Sequence, residues 1–245
     1  MKMWVFVGRN GKEILRDPLN LAFGLGFPLV ILLLLTAIQA NVPVELFSIE
    51  KLAPGIAVFG MSFVSLFSGM LIARDRSTSF LLRLFASPLS ARDFILGYTI
   101  PMLPLAAGQS VVCFAAAVIL GLKPSLSLLT ALVVLLPAAL LFIGIGLLCG
   151  SLLTDRQVGG VCGALLTNLS AWLSGTWFDL NLVGGGFKAV AEALPFVHAV
   201  NAARAAITGN YGAIFPDLWW VVGYAVVILI IAVLLFHRKM SADAQ

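Results

Sequence analysis

The chain has 245 residues, of which 61% are apolar and only 11% are charged, and its mean hydropathy is +1.07. Ionisable side chains are therefore too few to cover a water-soluble globule of this length, and lipid is the expected solvent. The formal net charge of +4 is explained below by membrane topology, so it gives no support to a nucleic-acid-binding function.

The first eighteen residues predict a short helix that lies in the membrane interface and ends before Pro18. The residues on one face recur at helical spacing: Met3, Phe6, Val7, Asn10 and Ile14. Basic residues occupy the opposite face, where they would contact lipid phosphates or a partner protein. The alternative is a basic flank that only fixes the topology.

Six stretches are apolar for about 20 residues, the length that a helix needs to cross roughly 30 Å of hydrocarbon. They lie at approximately 21–40, 53–73, 98–120, 126–153, 158–178 and 217–236. Residues 38–40 form a poor cleavage site, so the first stretch is expected to be retained rather than removed as a signal peptide. The sequence thus predicts an all-α integral membrane protein with six transmembrane helices.

The distribution of lysine and arginine orients these spans. Six spans place both termini on one side, and eleven of the 15 basic residues fall on that side: Lys2, Arg9, Lys12, Arg16, Arg74, Arg76, Arg83, Arg92, Arg156, Arg238 and Lys239. The other side has Lys51, Lys123, Lys188 and Arg204. Because positive residues are retained inside, both termini are predicted to be cytoplasmic.

The polar segment at 74–97, between the second and third spans, predicts a helix, a tight break and a second helix. Its first part has an apolar stripe formed by Phe80, Leu81, Leu84 and Phe85, and Pro88 ends it. Ser90 and Asp93 then form a predicted N-cap box. A simple connection would be shorter and more uniformly polar, so this segment is predicted to dock a partner. An interfacial helix without a partner is the alternative.

Small residues mark possible packing faces. In the fifth span they recur every four residues, at Gly159, Gly163, Thr167, Ala171 and Gly175, and the second span has a similar face at Ser62, Ser65 and Gly69. Such faces let helices approach closely. They indicate a transport path, a subunit interface or ordinary packing within the chain, and the sequence leaves these three open.

The outer loop at 179–216 predicts two short helices, at 182–193 and 196–207, which lie at or dip into the outer interface. They are separated by Pro195, and each is too short to span the membrane. Lys188 and Glu192 are four residues apart and are expected to pair on the first of them.

Catalytic, metal and nucleotide sites find little support. Cys113, Cys149 and Cys162 all fall within spans without metal-ligand spacing, so no metal is expected. Residues 8–13 depart from a phosphate-binding loop, so energy must come from another chain. No span has a central charged residue, which weakens a proton- or sodium-coupled carrier. Ser174 and His198 leave a serine-type intramembrane enzyme as an alternative, and a membrane scaffold without transport as another.

Two segments resemble the membrane subunits of type 2 ABC exporters. The first runs from Arg74-Asp75-Arg76 through Ala86-Ser87-Pro88-Leu89-Ser90 to Gly97, and the second from Ser174-Gly175-Thr176 through Leu194-Pro195-Phe196 to Arg204. The resemblance extends over nearly the whole chain. It departs from the family at Ser77-Thr78-Ser79, where many members have a glycine and an acidic residue.

The resemblance implies that 1–245 is a single transmembrane permease domain of the bacterial cytoplasmic (inner) membrane, with outer re-entrant helices before the last span. Two such subunits, identical or paralogous, would pair on two separate ATPase subunits that bind ATP and Mg²⁺. This chain would bind no cofactor and would not itself be an enzyme. Its substrate would be an amphipathic drug, a lipid or a lipid-linked glycan.

Site residues are predicted on the same basis. Residues expected to couple to the ATPase are Arg83, Leu84, Phe85, Ser87, Pro88, Leu89, Asp155 and Arg156. Those expected to line the substrate path are Ser62, Ser65, Phe67, Asn168 and Trp172. Those expected at subunit or helix contacts are Gly159, Gly163, Thr167 and Gly175.

Overall fold

The computed structural model describes residues 2–42, 45–78, 80 and 90–242, and all regular structure in these ranges is helical, which confirms the all-α class. The long helices are α1 Lys2–Leu15, α2 Pro18–Asn41, α3 Ile49–Ser77, α4 Ala91–Ile119 and α5 Ser127–Leu152. A composite helix follows, with α6 Asp155–Val158, a π-helical segment Gly159–Leu166 and α7 Thr167–Leu173. The remaining helices are α8 Leu180–Val183, α9 Gly185–Ala193, α10 Pro195–Ile207 and α11 Ile214–Ala242.

Within the described residues, five helices are long and apolar enough to cross a membrane. Four of them are α2, α3, α4 and α5, and the fifth is Tyr211–Phe236, which includes most of α11. They correspond to the first four and the last of the predicted spans. The chain is therefore a multi-pass membrane protein, and the count of six spans stays a prediction.

The predicted fifth span, at 158–178, differs from the structure in two respects. It is not one regular α-helix, because residues Gly159–Leu166 are π-helical. It also ends at Leu173, because the turn that follows places Gly175 at φ +66°. Side chains disfavour that backbone conformation, and glycine adopts it freely. The span was predicted from its apolar composition alone, and apolar composition does not show where a helix ends in a turn.

Helix α3 lies at the centre of the bundle and packs most closely against α5. A Cβ atom added to Gly146 would lie 2.1 Å from the carbonyl oxygen of Ser65, and one added to Gly150 would lie 2.3 Å from that of Gly69. The two backbones can approach this closely only because the contact is made by residues with small side chains. The small face of α3 is thus used for packing within the chain.

The N-terminal helix α1 packs on the start of α4, at what we call the α1 end of the bundle, the predicted cytoplasmic end. Phe6 lies against Gly97, where an added Cβ would be 2.2 Å from its ring. The same ring makes edge contacts with Phe94 and Tyr98, at centroid distances of 5.8 and 5.0 Å. The predicted N-cap box is confirmed, since Asp93 N–H donates to Ser90 Oγ at 3.3 Å and Ser90 N–H donates to Asp93 Oδ2 at 2.9 Å.

The two short outer helices are also confirmed, as α9 and α10. Pro195 occupies the first turn of α10, where its missing N–H needs no partner. On α9, Lys188 and Glu192 are 3.5 Å apart, as expected. Helix α10 is largely buried against α5 and α11, so it forms part of the bundle rather than an exposed loop.

Candidate functional site

A cavity of about 640 Å³ opens on the side of the bundle formed by α2, α3 and the composite helix. We call it the aromatic cleft. Its wall contains seven aromatic side chains: Phe23, Phe27, Phe59, Phe63, Trp172, Trp177 and Phe178. The remaining lining residues are Ile31, Gly163, Thr167, Asn168 and Ala171, so none of the described residues that line it is charged.

The rings in this cleft touch one another in sequence. Phe27 lies 5.4 Å from Phe63 and 6.3 Å from Phe59, and Phe59 lies 5.5 Å from Trp177, all between ring centroids. These are normal distances for tilted and edge-to-face aromatic pairs. On α2 the lining residues extend from Phe23 to Ile31, so the cleft follows this helix for about 12 Å. The Trp177 indole N–H is buried and has no acceptor among the described residues.

Two of the five predicted path residues line the cleft. Asn168 and Trp172 lie on the exposed side of α7, with Trp172 52% exposed. Asn168 donates its side-chain N–H to the carbonyl oxygen of Ala164 at 2.8 Å.

The other three predicted path residues are buried inside the bundle and do not line the cleft. Ser62 donates to the carbonyl oxygen of Phe59 at 2.7 Å, and Ser65 lies in the contact with α5. Phe67 packs over Gly24, where an added Cβ would be 2.5 Å from its ring. The small, polar side chains of Ser62 and Ser65 serve close packing, and a sequence pattern does not separate that role from the lining of a path.

The predicted path did not include six aromatic residues that line the cleft: Phe23, Phe27, Phe59, Phe63, Trp177 and Phe178. A signal for most of them exists in the sequence. Phe23 and Phe27 are four residues apart on α2, and Phe59 and Phe63 are four apart on α3. Residues at this spacing share one face of a helix, so two aromatic faces could have been predicted.

Most of the predicted coupling residues lie outside the described residues: Arg83, Leu84, Phe85, Ser87, Pro88 and Leu89. The other two begin α6, where Thr154 and Gln157 form an N-terminal capping box. Asp155 and Arg156 are both exposed there. They therefore lie on a surface that another protein can reach.

Each residue of Arg74-Asp75-Arg76, at the end of α3, contacts a different part of the chain. Arg74 lies 3.3 Å from the carboxylate of Asp17, between α1 and α2. Arg76 donates to the carbonyl oxygens of Gly150 and Leu153, at 2.8 and 3.0 Å. Those carbonyls end α5 and have no intrahelical partner of their own, so Arg76 caps that helix.

Asp75 is the buried centre of this cluster. Arg9 donates two hydrogen bonds to its carboxylate, at 2.6 and 2.8 Å, and the Tyr98 hydroxyl donates a third at 2.8 Å. The neighbouring Asn10 donates to the carbonyl oxygen of Gly97 at 3.0 Å. The guanidinium of Arg9 also lies 4.3 Å from the ring centre of Phe80, which belongs to the segment at 74–97, the predicted coupling segment. We call Arg9, Asp75 and Tyr98 the Asp75 cluster.

This geometry corrects one expectation about α1. Its basic face was expected to contact lipid phosphates or a partner, but Arg9 turns toward Asp75 within the chain. Asn10, placed on the apolar face by its spacing, is fully buried. The helix is therefore held by specific polar contacts as well as by its apolar face.

The four small residues predicted to pack do not form one strip. An added Cβ on Gly163 would contact Leu66 at 3.3 Å, whereas Gly159 has no such neighbour within 4 Å. Thr167 is buried and donates to the carbonyl oxygen of Cys162 at 3.0 Å. Gly175 lies in the turn beyond α7, so its expected place on a helix face is wrong. Its carbonyl accepts a 3.1 Å hydrogen bond from Arg204, a residue whose pKa burial lowers to about 10, so that it stays charged at neutral pH.

The structure does not bring Ser174 and His198 together. Ser174 Oγ contacts the carbonyl oxygen of Ala171 at 3.1 Å and Thr176 Oγ1 at 2.8 Å. His198 contacts the Asp217 carboxylate through Nδ1, at 2.5 Å, and the carbonyl oxygen of Glu192 through Nε2, at 2.8 Å. Both ring nitrogens are thus occupied by groups other than the serine. Nothing in this arrangement favours serine-type catalysis.

The five membrane-length helices among the described residues define a multi-pass membrane protein, and the described residues that line its cleft carry no charge. The profile of the ABC-2 type transporter family matches residues 1–208. The chain belongs to this family and is a permease subunit of an ABC transporter, a class that associates with ATPase subunits. No curated protein matches the sequence.

Proposed function

We propose that this chain is the membrane subunit of an ATP-driven exporter and that its substrate crosses the membrane along the aromatic cleft. The observation that carries the proposal is the continuous line of rings from Phe27 through Phe59 to Trp177, in a cavity of about 640 Å³. A cavity of this size holds a molecule of drug-like dimensions. The exposed face of α7, which carries Trp172, leaves the cleft open at its side.

A second permease subunit, identical or paralogous, would close that open side. Two separate ATPase subunits would bind ATP and Mg²⁺ and would dock at the coupling segment and at Asp155 and Arg156. Closure of the ATPase pair would move the coupling segment, and with it α3 and the composite helix. The proposed site of action is the bacterial cytoplasmic membrane, with both termini on the cytoplasmic side.

The lining of the cleft favours amphipathic substrates. In the part of the chain that the structure describes, its lining carries no charge, and the side-chain hydrogen-bonding groups there are Thr167, Asn168 and the indole N–H groups of Trp172 and Trp177. Aromatic walls with a few polar groups suit drugs, lipids or lipid-linked glycans better than small ions, whose hydration such a wall does not replace.

The first test concerns the path. The permease with its co-purified ATPase is reconstituted in vesicles, and transport of a fluorescent amphipathic dye is compared with that of a fluorescent short-chain phospholipid. Trp172→Ala is expected to change the ratio of the two rates several-fold while the ATPase partner stays bound. Trp219→Ala is the matched control, because Trp219 is exposed on α11 and does not line the cleft.

Equal ratios in the two tryptophan variants would contradict the proposed path. Loss of the second permease subunit from the Trp172→Ala complex would instead make this residue part of a subunit interface. The coupling role is tested separately by Leu84→Asp and Phe85→Asp, which are expected to release the ATPase or to uncouple ATP hydrolysis from transport. Normal co-purification and normal transport in both variants would sink that assignment.

A further inference from the structure

A second groove lies on a different side of the bundle from the aromatic cleft, between α4, α5 and α11. Its volume is about 470 Å³, and it shares no lining residue with the cleft. The wall is formed by Arg92, Ile95, Leu96, Thr99, Leu140, Leu229, Ile230, Val233 and Leu234. Leu96, Ile230 and Leu234 are each about half exposed, at 45%, 53% and 58%. The groove therefore opens outward from membrane-length helices, toward the lipid.

Arg92 lines the mouth of this groove, and a second arginine, Arg238, lies at a similar depth on α11. The rings of Phe94 on α4 and Phe236 on α11 are 5.4 Å apart, which aligns these antiparallel helices at the α1 end. Arg92 and Arg238 each lie two residues beyond that contact, about 3 Å nearer the bundle end by the rise of a helix. Both are exposed. Within the described residues, neither guanidinium forms an ion pair or a hydrogen bond. The adjacent carboxylate of Asp93 accepts hydrogen bonds from Ser90.

An unpaired hydroxyl lies deeper in the same groove. Thr99 is 4% exposed, and its Oγ1 has no hydrogen-bond partner in the part of the chain that the structure describes. It lies seven residues from Arg92, hence on the same face of α4 and about 10 Å further from the bundle end. A purely hydrocarbon occupant would leave this hydroxyl unpaired, whereas an ester carbonyl oxygen would accept its hydrogen bond.

We propose that this groove binds one anionic glycerophospholipid of the cytoplasmic leaflet. Its phosphate binds Arg92 at the mouth of the groove, and Arg238, at a similar depth on α11, adds positive charge. An acyl chain follows the apolar wall toward Leu140 and Leu229, and the Thr99 hydroxyl donates to an ester carbonyl. Charge complementarity selects the occupant, because guanidiniums at membrane-interface depth attract phosphate oxygens, and neither Arg92 nor Arg238 forms an ion pair within the described residues. The apolar wall below them lies in membrane-length helices, which fits a lipid better than a soluble protein.

The experiment measures lipid binding to the permease together with its co-purified ATPase. Complexes in a neutral detergent are titrated with phosphatidylglycerol or phosphatidylcholine, and bound lipid is counted by native mass spectrometry. We expect phosphatidylglycerol to bind at least fivefold more tightly than phosphatidylcholine, and Arg92→Gln/Arg238→Gln to abolish that preference. Lys12→Gln/Arg16→Gln is the matched control, since it removes the same charge from exposed residues of the α1 end outside this groove.

Two further variants test the groove itself. Leu96→Trp should reduce phosphatidylglycerol binding by filling the groove without touching either arginine, and Thr99→Val should weaken it several-fold by removing the donor. Equal binding of both lipids to the wild type, or an unchanged preference in the double arginine variant, would overturn the proposal. Loss of the ATPase from that variant with lipid binding intact would also overturn it, because the arginines would then serve the protein partner.

Discussion

The buried carboxylate of Asp75 makes Arg9 the most informative residue to remove. The Asp75 side chain is 6% exposed, and Arg9 supplies two of its three hydrogen bonds and its counter-charge. Among the described residues, Arg9→Ala would leave Tyr98 as the one side chain that donates to this buried carboxylate. Breaking a fully buried pair in this way costs about 3–5 kcal/mol. Because the Arg9 side chain is 33% exposed, water can enter the vacated space, and we expect a loss of about 2–3 kcal/mol.

A double-mutant cycle distinguishes this mechanism from a general weakening of α1. Asp75→Asn added to Arg9→Ala removes the stranded charge, so the double variant should recover about 1 kcal/mol or more relative to Arg9→Ala alone. Lys12→Ala is the matched control: it removes a positive charge from an exposed position of the same helix, and we expect a change within about 0.5 kcal/mol.

The assay is thermal unfolding of the detergent-solubilised chain, followed by tryptophan fluorescence. At about 2–4 °C per kcal/mol for a chain of this size, Arg9→Ala should lower the Tm by roughly 5–10 °C. If Arg9→Ala and the double variant lose the same stability, the stranded charge is not the cause. If Arg9→Ala behaves like Lys12→Ala, the Asp75 cluster does not hold α1 in place.

Two further predictions concern glycines at close contacts. Gly97→Val places a Cβ 2.2 Å from the ring of Phe6, so α1 must shift. We expect the free energy of unfolding to fall by about 1–3 kcal/mol and proteolysis of the N-terminal helix to become faster. An unchanged cleavage rate would refute this prediction. Gly69→Ala places a Cβ 2.9 Å from the backbone carbonyl oxygen of Gly146 and should lower the Tm. Gly159→Ala is the control, because Gly159 has no such neighbour within 4 Å, and its Tm should not change. Equal Tm values in the two variants would contradict the close packing of α3 and α5.

The features that the sequence predicted well are local ones. The cap formed by Ser90 and Asp93, the break at Pro195 and the pair of Lys188 with Glu192 each involve residues within one turn of helix, where spacing alone determines contact. Apolar length likewise predicted the five membrane-length helices. These predictions needed no knowledge of how the helices are arranged.

The features that it missed depend on which helices are neighbours. Arg9 and Asp75 are 66 residues apart, and helical periodicity identifies a face without identifying what that face contacts. One clue was present: Asn10 occupies an apolar position of α1, and a buried amide needs a partner, here the Gly97 carbonyl. The small face of α3 was ambiguous for the same reason, because Ser65 could have faced a path or a neighbouring helix.

Helix α3 connects the two regions on which the proposed function depends. Asp75, near the end of α3, is bound by Arg9 of α1 and by Tyr98 of α4. These contacts hold the end of α3 where the coupling segment begins. Phe63 lies twelve residues earlier on the same helix, about 18 Å away along its axis, in the wall of the aromatic cleft. Close packing of α3 against α5 leaves little room for bending between these points. A displacement imposed at the coupling segment would therefore reach the cleft as a movement of the whole helix.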